Sequence, residues 1–250
     1  MKITVCEVPD RAMPEGEWAA LLAALTSTPT DILVLPELAG TRAFWVDPQF
    51  DRATWHEAIE QTGALAEATK GFAARCVLGS RAIARDDKRL NETYIRTADG
   101  SLRPGRSKAW FPEMEGAWEA TWFDAGSNDK AIAPVRQDGL SVATLLCTEV
   151  IVSGAARALG KAGTQLIAAP RATGGHPRWD IATRMTAVSA GAFVATANRR
   201  GETFAGGSWI IDPEGEVLAR TSADTPIVTV DIDLSVADRA KQTYPRNVVD

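Results

Sequence analysis

The sequence predicts an α/β fold in which helical layers and sheet layers pack face to face within one domain spanning residues 1–250. Three observations carry this. Short apolar runs of strand length recur along the chain, helical stretches lie among them, and no linker rich in Ser, Gly or Pro divides it. Strands outnumber helices, and hairpin signals are mixed with longer crossovers.

In order, residues 3–8, 32–35, 76–80 and 93–97 read as strands, each short and bounded by polar or turn residues. Residues 18–26 and 55–70 read as helices, the second with apolar residues at helical spacing. The second half repeats the style, with strands at 131–136, 140–146, 165–169, 193–197, 208–211, 217–220 and 227–230. Helices are expected over 154–161 and 181–191. Ala98-Asp99-Gly100-Ser101, Gln137-Asp138-Gly139 and Asp212-Pro213-Glu214-Gly215 supply turns at strand ends.

Composition removes several functions. Hydrophobic residues make up 45% and charged residues 24%, which permits a sizeable core. A net charge of −5 gives no bulk attraction for phosphate backbones, so no nucleic-acid partner is expected. The longest uncharged stretches, 18–30 and 185–198, fall short of the ~18–20 apolar residues of a membrane span. The N-terminus meets Glu7 too soon for a signal-peptide apolar region. Cys6, Cys76 and Cys147 form no disulfide framework and suit a reducing cytoplasm. His56 and His176 stand in no metal-ligand spacing, so no metal is expected and a carboxylate is the better candidate base.

Familiar motifs are absent. No two glycines are separated by a single residue, which removes G-x-G-x-x-G, and no P-loop is present. Ala187-Val188-Ser189-Ala190-Gly191 resembles a serine elbow but lies in a helical pattern, where Ser189 reads as a small packed residue. The informative positions are strand ends. Asp31 through Leu35 is an apolar strand followed by Pro36 and Glu37. Ser141 through Leu146 is a second, tipped by Cys147 before a Ser-Gly helix start. Arg106-Ser107-Lys108 puts a lysine at the end of a short strand between them. Singly, each has a plain reading: a solvated cap, a core thiol, a snorkelling lysine.

Together these residues resemble the nitrilase superfamily of carbon–nitrogen hydrolases, with its Glu-Lys-Cys triad. Leu35-Pro36-Glu37-Leu38 is similar to the family's Pro-Glu box. Leu90-Asn91-Glu92-Thr93-Tyr94, Asp99-Gly100-Ser101-Leu102 and Arg106-Ser107-Lys108 are similar to its Asn, Asp-Gly and Lys block. Glu119 precedes Gly126 by the spacing of its second glutamate. The segments from Ala190 to Arg199 and from Gly207 to Val217 resemble its late helix-to-strand segment and final hairpin. The match runs in order along nearly the whole chain. One departure follows the cysteine, where Thr148, Glu149, Val150, Ile151, Val152 and Ser153 replace the usual aromatic, acid and Phe-Pro-Glu. Glu149 keeps the acid and reads as a salt-bridge partner.

The resemblance implies a four-layer α-β-β-α sandwich with its site at shared strand ends, no cofactor, and a homodimer or higher assembly pairing through the helix after the nucleophile. It assigns Cys147 as nucleophile, Glu37 as the base that becomes an acid, Lys108 as oxyanion partner with a backbone N–H near Thr148, and Glu119 as the glutamate that orients Lys108. Glu119 is preferred over Glu115 on spacing. Trp110, Phe111, Trp118, Trp122 and Phe123 either wall the pocket or pack their loop onto the domain or a second subunit. Arg171 and His176 lie in a segment that contributes to the family's pocket; Arg171 would suit a carboxylate-bearing substrate or serve a structural salt bridge. Cys6 and Cys76 read as buried core thiols. The implied reaction is hydrolysis of a small linear amide through a thioester, with ammonia released. Its rivals are an N-carbamoyl hydrolase, a nitrilase, or a binding member without turnover.

Overall fold

The computed structural model describes residues 1–13, 16–126, 132–137 and 139–248. Ala131, at the start of an expected strand, and Asp138, in an expected turn, lie outside them. In chain order, β1 (Lys2–Cys6) and β2 (Val8–Pro9) lead to α1 (Trp18–Ser27), β3 (Thr30–Val34) and α2 (Arg52–Ala68). Then come β4 (Ala74–Arg85), β5 (Lys88–Arg96) and β6 (Leu102–Ser107), a small pair β7 (Glu113–Met114) and β8 (Ala117–Trp118), and α3 (Glu119–Trp122). The second half holds β9 (Val135–Gln137), β10 (Leu140–Thr144), α4 (Ser153–Lys161), β11 (Leu166–Pro170), α5 (Arg178–Ala190) and β12 (Phe193–Ala197). It closes with β13 (Arg199–Arg200), β14 (Trp209–Ile211), β15 (Val217–Arg220), β16 (Ile227–Asp231) and α6 (Ser235–Ala240).

Two six-stranded sheets result, ordered β16-β1-β3-β4-β5-β6 and β15-β14-β12-β11-β10-β9. Each has a parallel centre, β1-β3-β4 in one and β10-β11-β12 in the other, flanked by antiparallel strands. Successive strand residues point to opposite faces, and the cores follow that period of two. Ile32 and Val34 join Val142, Leu166, Ala168, Phe193 and Ile210 between the sheets. Their neighbours Leu33 and Leu35 instead meet Trp18, Leu21 and Leu65 of α1 and α2. On the other sheet Ala143, Ile167, Ala169 and Ile211 meet Leu159 of α4 and Ala187 of α5. The layers are therefore α-β-β-α. No helix among the described residues is long and apolar enough to cross a membrane.

Several boundaries differ from expectation for identifiable reasons. The strand expected at 76–80 continues to Arg85, because Asp86 and Asp87 both take positive φ (50° and 60°) and close a two-residue hairpin onto β5. The expected helix at 55–70 starts three residues earlier, where the Asp51 side chain accepts from Thr54 N–H at 2.7 Å. The strand expected over 140–146 leaves its ladder at Thr144. Cys6 is buried, but Cys76 is only partly so; it packs at the margin of the inter-sheet core rather than within it.

Candidate active site

Three chain segments converge where the parallel strands end. After β3, Leu35 N–H still donates to Leu78 O at 2.8 Å, and Pro36 then carries the chain off the sheet. Glu37 N–H donates to Arg171 O (3.3 Å), and Leu38, at φ 46°, donates its N–H to Ser80 Oγ (3.0 Å). Lys108 follows β6 and is anchored by its N–H to Asn91 O at 2.8 Å. Glu119 opens α3 with its N–H on Pro112 O. Cys147 opens a 3-10 turn, Cys147–Ile151, with φ +47°, a left-handed conformation that costs energy for a residue with a Cβ.

Glu149 sets that turn in place. Its Oε1 accepts from Ala109 N–H (2.9 Å) and Arg106 Nη2 (2.8 Å); its Oε2 accepts from Leu146 N–H (2.8 Å) and, closely, from Arg106 Nη1. One buried carboxylate thus ties the residue before Cys147 to the residue after Lys108. Drawing Leu146 N–H onto Glu149 also ends the strand early. The salt-bridge role read for Glu149 fits this geometry.

Lys108 is fully buried, and its Nζ donates to Glu37 Oε1 (2.8 Å) and Glu119 Oε2 (2.5 Å). An ammonium has three N–H donors, so one is left for a third acceptor. Glu37 Oε1 also accepts from Asn91 Nδ2 at 2.8 Å, whereas buried Oε2 has no partner among the described residues. Burial works against the Lys108 ammonium, but Glu119 and Glu37 outweigh it and hold the pKa well above its usual value. Burial pushes Glu119 up to about 7, against the pull of Lys108. Burial raises the Cys147 thiol strongly, with the Glu37 charge adding to it; Lys108 and the Ala172 N–H oppose this. At rest the nucleophile candidate is therefore a thiol among charges, with one carboxylate oxygen unpaired nearby.

The structure brings Glu37, Lys108, Glu119 and Cys147 together; Glu115 is exposed. Thr148 is half-buried in the turn that Cys147 opens. Trp110 is half-buried two residues beyond Lys108. Trp122 and Phe123 are buried against Phe44 and Trp55, with Phe111 stacked on Phe123, so these rings pack the loop onto the domain. Arg171 and His176 line a neighbouring cavity whose lining includes neither Cys147 nor Lys108. Asn91 was not singled out from sequence as a site residue, although it sits in the strand block that carries Lys108. The Ala172 contact is a backbone one, and no residue type announces it.

The sequence model of the carbon–nitrogen hydrolase family matches residues 10–242. A 2-oxoglutaramate amidase of Bacillus subtilis (strain 168) is 27% identical over 86% of this chain and 83% of its own length. An omega-amidase of Danio rerio is 26% identical over 74% and 71%. Among solved structures, a carbon–nitrogen hydrolase from Helicobacter pylori G27 superposes with a TM-score of 0.83 at 21% identity, covering 98% of this chain and 94% of that one. An amidase from Nesterenkonia sp. AN1, with acrylamide added at its active-site cysteine, gives a TM-score of 0.76 at 21% identity over 95% of both chains.

Proposed function

The chain belongs to the carbon–nitrogen hydrolase family, and from that premise we propose that it hydrolyses a small linear carboxamide through a cysteine thioester, as a single domain with Cys147, Glu37, Lys108 and Glu119 as its working groups. The observation that carries this reading is the buried Glu37–Lys108–Glu119 cluster within electrostatic range of Cys147, with Glu37 Oε2 unpartnered.

In this mechanism the thiol proton passes to Glu37 as Sγ bonds to the amide carbon. The carbonyl oxygen becomes an oxyanion, met by the remaining Lys108 N–H and the Thr148 backbone N–H at the start of its turn. Glu37 returns the proton to the nitrogen, the C–N bond breaks and ammonia leaves. Water, losing a proton to Glu37, then attacks the thioester carbon; the C–S bond breaks, Glu37 passes the proton to Sγ, and the carboxylic acid departs. Glu119 holds Lys108 charged and oriented. Trp110 borders the acyl group, and Arg171 and His176 extend the binding region.

The relatives are named for 2-oxoglutaramate and for omega-amides, which supports a terminal amide on a linear acyl chain as substrate. A reducing compartment suits the free thiols, and we place the protein in the cytoplasm. A second copy would cover the apolar residues Ile151, Ile181 and Met185 beside the nucleophile turn. The test is ammonia release from primary amides, carbamoyl amino acids and nitriles, run beside Cys147→Ala. Release from amides that vanishes in the variant supports the assignment. Release confined to carbamoyl compounds or nitriles, or wild-type turnover by a folded Cys147→Ala protein, overturns it.

A further inference from the structure

The cavity beside the active site, about 250 Å³, is lined by Arg171, Thr173, His176, Trp209 and Arg220 among others. Arg171 is only 1% exposed. Its guanidinium donates from Nη2 to Gly207 O (2.9 Å) and lies 4.2 Å over the Trp209 ring, but it has no carboxylate partner among the described residues. Its Nε is buried without an acceptor. A buried cation left so is costly unless an anion offsets it. A second guanidinium, Arg220, stands 5.2 Å from the same indole, also without a carboxylate ion pair among the described residues. Two cations about one ring repel each other, and burial together with Arg220 lowers the Arg171 pKa, to about 10.

Other unused donors collect at the same place. Trp209 Nε1 and Thr173 Oγ1 are buried and unpartnered. Gly207, at φ 72°, brings its backbone close to both side chains: a Cβ there would lie 3.1 Å from Arg220 Nη2, 3.3 Å from its Nε and 3.5 Å from Trp209 Nε1. Three N–H donors therefore stand close together beside the Gly207 backbone. The wall is fixed, since Asn198 Oδ1 accepts from Thr173 N–H while its Nδ2 donates to Thr173 O and Gly206 O. His176 Nδ1 accepts from Arg178 N–H, which leaves its Nε2 to donate. The one carboxylate in the lining, Asp180, is paired with Arg184 at 3.0 Å.

We infer that this cavity binds a carboxylate, held by Arg171, Arg220, the Trp209 indole N–H and the Thr173 hydroxyl. The carboxylate is either the far end of the substrate or a separate small acid. Arg171 O accepts from Glu37 N–H and Ala172 N–H meets the Cys147 sulfur, so the segment holding the anion also braces the reacting groups. Binding does not rest on the amidase assignment; only the choice between the two sources does.

The experiment follows the Trp209 indole N–H signal by NMR in 15N-tryptophan-labelled protein, assigned with Trp209→Phe. Sodium glutarate is titrated, with the neutral diamide glutaramide as control. A saturable shift with glutarate only, weakened about 10- to 100-fold in Arg220→Gln, is expected for loss of a charge-assisted contact. This readout stands even if no substrate is turned over. No shift with glutarate, an equal shift with glutaramide, or an unchanged affinity in Arg220→Gln overturns the site. Kinetics then separate the sources. If the substrate supplies the carboxylate, Arg220→Gln raises KM for glutaramate but not for pentanamide. If a separate acid does, glutarate alters wild-type pentanamide turnover without competing.

Discussion

At the residue scale the candidate site is a buried ion-pair cluster beside a thiol, and its groups should respond differently to substitution. Glu37→Gln keeps the bond to Lys108 through its amide oxygen but cannot take the thiol proton. Cys147 alkylation by iodoacetamide and ammonia release should both fall by about 100-fold or more; unchanged alkylation would mean another base. Lys108→Ala leaves Glu37 and Glu119 buried without their cation, which should cost about 3–5 kcal/mol as well as turnover. Chemical denaturation measures this, and a variant as stable as wild type would refute it. Glu119 gives a pH signature. Its folded pKa, about 7, lies above the usual 4.5, so the folded chain keeps a proton that the unfolded chain loses. That stabilisation is complete below 4.5 and is lost as pH rises through 7. The excess melting temperature of wild type over Glu119→Gln should therefore shrink from pH 5 to pH 8, and a widening gap would refute the shift. Strand-end positions taken together with the family resemblance made Glu37, Lys108 and Cys147 legible in sequence, and the spacing to Gly126 did so for Glu119. The Asn91 bridge to Glu37 and the Ala172 N–H were not, because pairing across strands and backbone direction leave no compositional trace.

At the element scale, strands carry the positions and turns deliver the chemistry. β12 and β15 lie where the apolar runs place them, because they are bounded by Gly, Asp and Pro signals that sequence shows directly. The end of β10 is not legible, since a side chain five residues beyond it, Glu149, decides it by accepting from Leu146 N–H. Close packing of α4 on α5 is equally invisible in sequence and makes a sharp prediction. A Cβ on Gly160 would lie 2.5 Å from Ala190 O and 2.8 Å from Ala190 Cα, both backbone atoms that cannot swing aside. Gly160→Ala should cost about 1–3 kcal/mol through overpacking. Gly154, in the same helix, has nothing within 4 Å of its Cβ position. Gly154→Ala should leave the melting temperature unchanged or raise it, given the better helix propensity of alanine. Thermal unfolding of the two variants side by side checks this; equal behaviour would mean that the helices separate freely.

At the scale of the whole molecule, the period-two division of apolar residues between two faces fixes the four layers. The sequence itself shows short apolar runs and packed α and β layers, and only the family resemblance implies four of them. Strand order is not visible, because the pairing of β1 with β16 joins the first and last strands of the chain. The same accounting of apolar faces leaves one exposed area unexplained. Ile151, Ile181 and Met185 are 48%, 66% and 58% exposed, and they share a surface with Val150 and Ala156 next to the turn that opens at Cys147. Clustered apolar exposure of this kind marks an interface more often than a solvated face. A second copy of this chain is the occupant we propose, since both partners would then bury the turn that opens at Cys147. Ile181→Lys combined with Met185→Lys puts two like charges onto the face of each copy and touches no group of the site. The wild-type protein should run as a dimer in light scattering and the double variant as a monomer of unchanged secondary structure. Ammonia release per chain should fall with dissociation, because the Cys147–Ile151 turn loses its cover on that side. A double variant that stays dimeric would move the interface elsewhere, and a fully active monomer would show that the fold alone holds the turn.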